Sequence, residues 1–132
     1  MMKKCGLLQH TLAGIIASMG HTDLLVIADA GLPVPPGVAC IDLAVRCGLP
    51  AMLDVTRAVG DELQVEEVIV ADELLARDEA LPSTLRELFP DARFRSMSHD
   101  ELKRLSARAR AIVRTGECTP YHNVILGSGV TF

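Results

Sequence analysis

His21, Asp29, His99, Lys103, Tyr121, His122 and Asn123 are the side chains of this 132-residue sequence whose types and places suit holding or protonating a small polar molecule. An imidazole has an unperturbed pKa of about 6.5, so a histidine both gives and takes protons near neutral pH. His21 follows Gly20, which stops an apolar helical stretch, and precedes the run Leu24-Leu25-Val26-Ile27-Ala28. Two roles suit that place: a proton donor beside an opening, or a cap on the negative end of the helix. Asp29 ends the apolar run, and ligands of open α/β sheets bind beyond the carboxyl ends of strands. A carboxylate there grips sugar hydroxyls well, and it equally well opens an Asx turn into Ala30-Gly31.

His99 and Lys103 stand four apart and share one helix face, either in a pocket or in solvent. Tyr121 and Asn123 stand two apart in a segment that reads as extended, so they project to one side and His122 to the other. A phenol and an amide on one face suit polyol recognition; the bland reading is a strand edge with ordinary polar residues. Tyr121 is the only tyrosine of an aromatic-poor chain, which favours the functional role. His10, His21, His99 and His122 coexist with Cys5, Cys40, Cys47 and Cys118, yet no pair has metal-ligand spacing. No metal and no cofactor are expected. Gly127-Ser128-Gly129 lacks the lysine and following helix of a phosphate loop and reads as a turn.

The elements that must position these residues follow from periodicity. Helical spacing covers 7–19, 49–63 and 80–89, and the chain beyond Ser98 toward Arg108. Ser98 and Glu101 form a capping box in which the Ser98 hydroxyl takes the Glu101 amide and the Glu101 carboxylate bonds back. Strands are predicted over 24–28, 40–45, 67–71, 93–97, 111–114 and 124–126, with a stiff Pro- and Gly-rich loop from Asp29 to Gly37. That alternation predicts an α/β fold, one three-layer domain over residues 1–132 with a central sheet flanked by helices.

Composition narrows the function. A hydrophobic share of 49% supports one continuous core, and positive hydropathy in so small a chain points to burial between subunits. The formal net charge is −4 and the 13 basic residues are dispersed, so a nucleic-acid backbone and an anionic membrane are unsuitable partners. The most apolar stretch is broken by Asp29, Asp42, prolines and glycines, so no membrane span is expected. The sequence opening MMKKCGLLQH lacks the apolar core of a secretory signal, and the cysteines have no CxxC spacing; the expectation is a cytoplasmic protein with reduced thiols.

In order, Gly20-His21-Thr22-Asp23, Ile27-Ala28-Asp29-Ala30-Gly31-Leu32-Pro33-Val34-Pro35, Gly48-Leu49-Pro50-Ala51, Ser98-His99, Arg114-Thr115-Gly116-Glu117, Pro120-Tyr121-His122-Asn123 and Gly129-Val130-Thr131-Phe132 resemble the D-ribose pyranase family essentially end to end. The resemblance implies a cofactor-free sugar mutarotase that converts ribopyranose to ribofuranose, the form ribokinase uses. It implies His21 as proton donor and Asp29, His99 and the segment Tyr121, His122 and Asn123 as sugar-binding positions. Lys103 matches a basic position of the same pocket. It also implies a ring-shaped homo-oligomer, two stacked five-membered rings, in which a neighbouring chain completes each pocket. His122 departs from the family pattern, where a small residue is expected. Gly31 keeps the ribose-type form, whereas related fucose mutarotases carry a bulkier polar residue there. Two alternatives are a fucose-type mutarotase and a non-enzymatic sugar-binding subunit of an uptake system, which would need Asp29, His99 and Asn123 but no donor. Ring opening and closing needs only general acid and base groups, which agrees with the lack of a dinucleotide fingerprint or Walker loop.

Overall fold

The runs rich in Val, Ile and Leu become strands of one six-stranded sheet, seen in a computed structural model that describes residues 2–132. Strands β1 (Leu24–Ala28), β5 (Ala111–Arg114) and β6 (Val124–Ser128) are buried along almost their whole length. Near-continuous apolar runs are what strands covered on both faces require. Strands β2 (Ala39–Asp42) and β4 (Arg93–Met97) are mostly exposed and form the edges, and β3 (Val65–Ala71) lies between β6 and β4. The order is β2-β5-β1-β6-β3-β4. Strand β6 runs antiparallel to β1 and β3, and every other neighbouring pair is parallel. Because Ile27 pairs with Val124 in that antiparallel register, the chain entering β6 passes directly over the carboxyl end of β1.

Alternate strand residues feed two cores. Leu25, Ile27, Val68, Val70, Val113, Val124 and Leu126 face one side, under α1 (His10–Ser18), α2 (Met52–Gly60), α3 (Asp72–Arg77) and α4 (Ala80–Leu88). Val26, Ala28, Ile69, Ile112 and Ile125 face the other, under Leu102 of α5 (His99–Ser106) and Leu32 of the loop after β1. Each fully buried Leu or Ile contributes about 1.5–3 kcal/mol. The result is the expected three-layer α/β architecture, a sheet flanked by helices.

Several boundaries differ from the periodicity, each for a local reason. Helix α2 starts at Met52 rather than 49, because Val45 and Arg46 bond back to Leu49 in a turn and Pro50 disfavours helical backbone before it. Strand β2 stops at Asp42, whose carboxylate takes the Ala44 amide at 3.0 Å. Strand β6 continues through Gly127 and Ser128, so the turn expected there is absent. Glycine gives close packing at 127: a Cβ on it would stand 3.2 Å from the Glu67 Cβ, a tight approach beside the bulge between Val65 and Glu67. Helix α3, six residues long, carries too few turns to show periodicity and was not foreseen. It also corrects the capping box. Ser98 Oγ accepts the Glu101 amide at 3.2 Å as expected, but Glu101 makes no return bond; both carboxylate oxygens of Glu73 in α3 lie 3.1 Å from the His99 amide that donates to them.

Candidate functional site

The carboxyl end of β1 gathers most of the polar side chains singled out above. Asp29 turns out of the strand and accepts the Gly31 amide on Oδ1 at 3.0 Å, so the Asx turn is real. Its other oxygen accepts from Asn123 Nδ2 at 3.0 Å, while Asn123 Oδ1 accepts the Asp29 amide at 2.8 Å. Asn123 is completely buried. Its amide is spent on holding Asp29, which fixes the carboxylate in one rotamer facing out of the sheet.

The segment before β6 is a turn, not the extended run that its alternation of residues suggested. Tyr121 takes a left-handed φ of 64°, His122 donates its amide to Thr119 O at 3.3 Å, and Asn123 donates its amide to Tyr121 O at 2.8 Å. Tyr121 and Asn123 therefore do not share a face by strand alternation: the ring lines a cavity while the amide is buried beneath it. Pro120 was the available signal, since a proline demotes an extended run and punctuates turns. His122 turns away from the cavity and its Nε2 lies 3.1 Å from Asp78 Oδ2.

The cavity measures about 310 Å³ and is bordered by Asp29, Pro33, His99, Lys103, Pro120 and Tyr121. That is at the small end of ligand pockets, whose range is about 300–1,000 Å³. The His99 ring meets the Tyr121 ring edge to face, centroids 5.0 Å apart. His99 Nδ1 is buried and without a protein hydrogen-bond partner among the described residues. Buried polar atoms are ordinarily bonded, so this nitrogen is suited to a polar group of a ligand. A second cavity of about 330 Å³ flanks Asp29 on the side of Glu117, Cys118 and Thr119. Glu117 caps α2 there through the Met52 amide at 3.2 Å and accepts the Thr119 hydroxyl at 2.7 Å. Burial pushes its carboxyl up, but these bonds and the nearby His122 outweigh burial and hold it below the ordinary range. Gly116 beside it admits no side chain, since a Cβ would stand 2.4 Å from the carbonyl oxygens of Arg46 and Leu49.

His21 is elsewhere. It lies before the amino end of β1, where Thr22 donates its amide to Ser128 O at 2.9 Å. Four steps of about 3.3 Å from Leu24 to Ala28 put the two ends of β1 roughly 13 Å apart. Its side chain is 52% exposed, and Nε2 lies 2.9 Å from Glu66 Oε2 on β3. The helix-cap role is not what this imidazole does; α1 is closed by Met19, whose amide donates to Ile16 O. Within one chain, Asp29, His99, Tyr121 and Asn123 form one cluster and His21 is outside it. Glu73, Arg77, Asp78 and Glu117 were missed, although Asp72-Glu73 ahead of Leu74-Leu75 is an acidic helix start.

The model of the RbsD / FucU transport protein family matches residues 2–131. The chain belongs to that family. A D-ribose pyranase of Symbiobacterium thermophilum is 55% identical over 131 residues, 99% of this chain and 100% of the relative. The solved structure of Bacillus subtilis RbsD complexed with D-ribose superposes with a TM-score of 0.95 at 49% identity, covering 99% of this chain and 100% of that one. The fucose mutarotase of Streptococcus pneumoniae in complex with L-fucose gives a TM-score of 0.72 at 20% identity over 95% of this chain and 94% of that one, a likeness of fold. No helix among the described residues of this RbsD / FucU member is long and apolar enough to cross a membrane.

Proposed function

We propose that this RbsD / FucU family member is a cytoplasmic D-ribose pyranase, one mutarotase domain over residues 1–132 that interconverts the pyranose and furanose rings of ribose and supplies the furanose to ribokinase. The observation that carries the reading is the cluster of Asp29, His99, Lys103 and Tyr121 around a monosaccharide-sized cavity at the carboxyl end of β1. The D-ribose held by the Bacillus subtilis relative, at 49% identity over the full length, supports ribose as the sugar. Gly31 borders that carboxylate, a Cβ there falling in ordinary contact with Asp29 Oδ1 at 3.8 Å, so this position neighbours the group that meets the sugar.

The chemistry needs one pair of proton transfers for ring opening and a second pair for ring closure, and no redox partner. The anomeric hydroxyl gives up its proton as the bond from C1 to the ring oxygen breaks, and that oxygen is protonated; the C4 hydroxyl then adds to the aldehyde, giving up its proton as the carbonyl oxygen gains one. Asp29, oriented by Asn123, accepts hydrogen bonds from sugar hydroxyls; His99 Nδ1 and Tyr121 contact the same ring, and the His122 backbone closes the turn beside it. His21 is the proton donor. Since it stands at the far end of β1, it reaches a cavity only across a contact between copies. Exposed Leu8, Val45, Leu49, Val130 and Phe132 supply apolar surface for such contacts. A ring-shaped homo-oligomer, two stacked rings of five, satisfies that need.

Line-shape or saturation-transfer NMR on ribose tests the proposal directly. Catalytic amounts of protein are expected to accelerate pyranose–furanose exchange. Unchanged exchange with retained ribose binding would instead make the protein a sugar-binding subunit, and acceleration confined to fucose would assign the fucose activity.

A further inference from the structure

Three contacts run from α3 and the residue after it to His99 and Tyr121 at the cavity and to His122 behind it. Glu73 accepts the His99 amide at 3.1 Å on both oxygens, Arg77 places its guanidinium 5.6 Å from the Tyr121 ring centroid, and Asp78 Oδ2 lies 3.1 Å from His122 Nε2. None of the three lines the cavity. The Asp78–His122 hydrogen bond is partly shielded from water, with side-chain exposures of 29% and 14%, so solvent competes with it less than with a fully exposed pair. The turn it grips is one that needs holding: Tyr121 has a left-handed φ of 64°, a conformation costly for a bulky residue unless its surroundings enforce it. A guanidinium above the ring adds a second grip on the same residue.

We propose that Arg77 and Asp78 are positioning residues for sugar binding: they fix the 119–122 turn from behind, and through it the Tyr121 ring at the cavity wall. The proposal rests on the ribose reading for its substrate, but the held turn stands independently of what the cavity binds. His122 thus anchors the turn through its ring, a link that a small side chain at 122 would lack.

The sequence provides its own reporter, since Tyr121 is the sole tyrosine and there is no tryptophan. Full-length Asp78→Asn, Arg77→Met, His122→Asn and the Asp78→Asn/His122→Asn double variant are compared with wild type by tyrosine near-ultraviolet circular dichroism without sugar, and by KM and kcat for ribose ring exchange. Asp78→Asn, which leaves the Tyr121 ring itself untouched, is expected to alter the tyrosine signal and to raise KM about 3- to 10-fold while kcat changes less than about twofold, the scale of one charge-assisted bond acting on binding. The double variant is expected to be no worse than the worse single one, because both remove the same link. An Asp78→Asn protein with wild-type tyrosine signal and KM, or one whose effect persists undiminished in the His122→Asn background, overturns the proposal; a loss confined to Tm shows a merely structural role and overturns it too. Absence of ribose exchange in the wild type would strike the ribose reading alone, leaving the tyrosine signal to decide the positioning role.

Discussion

The two ends of β1 are built on opposite plans. At the carboxyl end Asp29, Asn123, Thr115, Glu117 and Glu73 bond to one another or to backbone amides and carbonyls, and the residues that meet the cavity are fixed from behind. At the amino end His21 makes one side-chain bond, to Glu66, and both partners are open to solvent. Orientation of a sugar requires the first plan, because a carboxylate free to rotate loses selectivity and affinity. The second plan suits a group that has to be presented outward, to another molecule. In the proposed mechanism, one chain carries a receptor on one side and a proton donor on the other, and the two meet only between chains.

The contrast is sharpest for His21→Ala. Exchange is expected to slow by about 10²- to 10⁴-fold, the usual contribution of a positioned acid or base, with ribose affinity nearly unchanged. Calorimetry and NMR exchange on one preparation check both; equal loss of binding and rate would put His21 in the receptor instead. At the other end, Asn123→Ala removes two bonds from Asp29 inside the protein, so stability is expected to fall by about 1–3 kcal/mol in urea denaturation, together with ribose affinity. A variant as stable as wild type would show that the Asp29 clamp is not energetically coupled.

Glu117 gives the comparison a pH axis. Its folded carboxyl is held below the unfolded value of about 4.3, so its contribution to stability is fully present above that pH and is lost as pH falls through the folded value. Glu117→Gln is expected to flatten the fall in Tm below about pH 4.5, on the order of 1 kcal/mol or less for one partly buried carboxylate. Smallest of all is Glu66→Gln. The His21–Glu66 pair is largely solvated, so unfolding free energy is expected to move by less than about 0.5 kcal/mol, measured in the same urea series.

Much of this was legible in the sequence. The strands announced themselves through apolar runs, and Asp29 could be placed at a strand end because Leu24 to Ala28 carries no polar residue. Ser98 marked the start of α5 through its side-chain oxygen. What stayed hidden depends on tertiary contact. Asn123 looked like a ligand because its burial under the turn depends on the antiparallel register of β6 against β1. Tyr121 and Asn123 were assigned a common face from a period of two that a turn does not have. Helix α3 is short, and Arg77, Asp78 and Glu73 become meaningful only when α3 packs beside the 119–122 turn and the start of α5. The separation of His21 from Asp29 could not be read from residue numbers either, since eight residues span anything from a hairpin to a full strand.

The central claim, that donor and receptor come from different copies, is tested most directly by subunit complementation. His21→Ala and Asp29→Asn proteins, each expected to be nearly inactive in ring exchange, are unfolded, mixed in equal amounts and refolded together. Random assembly then pairs an intact His21 with an intact Asp29 at about one site in four, so roughly a quarter of wild-type activity is expected to return. Mixed assemblies that form, as shown by mass spectrometry, yet stay as inactive as their parents would contradict it, because donor and receptor would then have to belong to one chain.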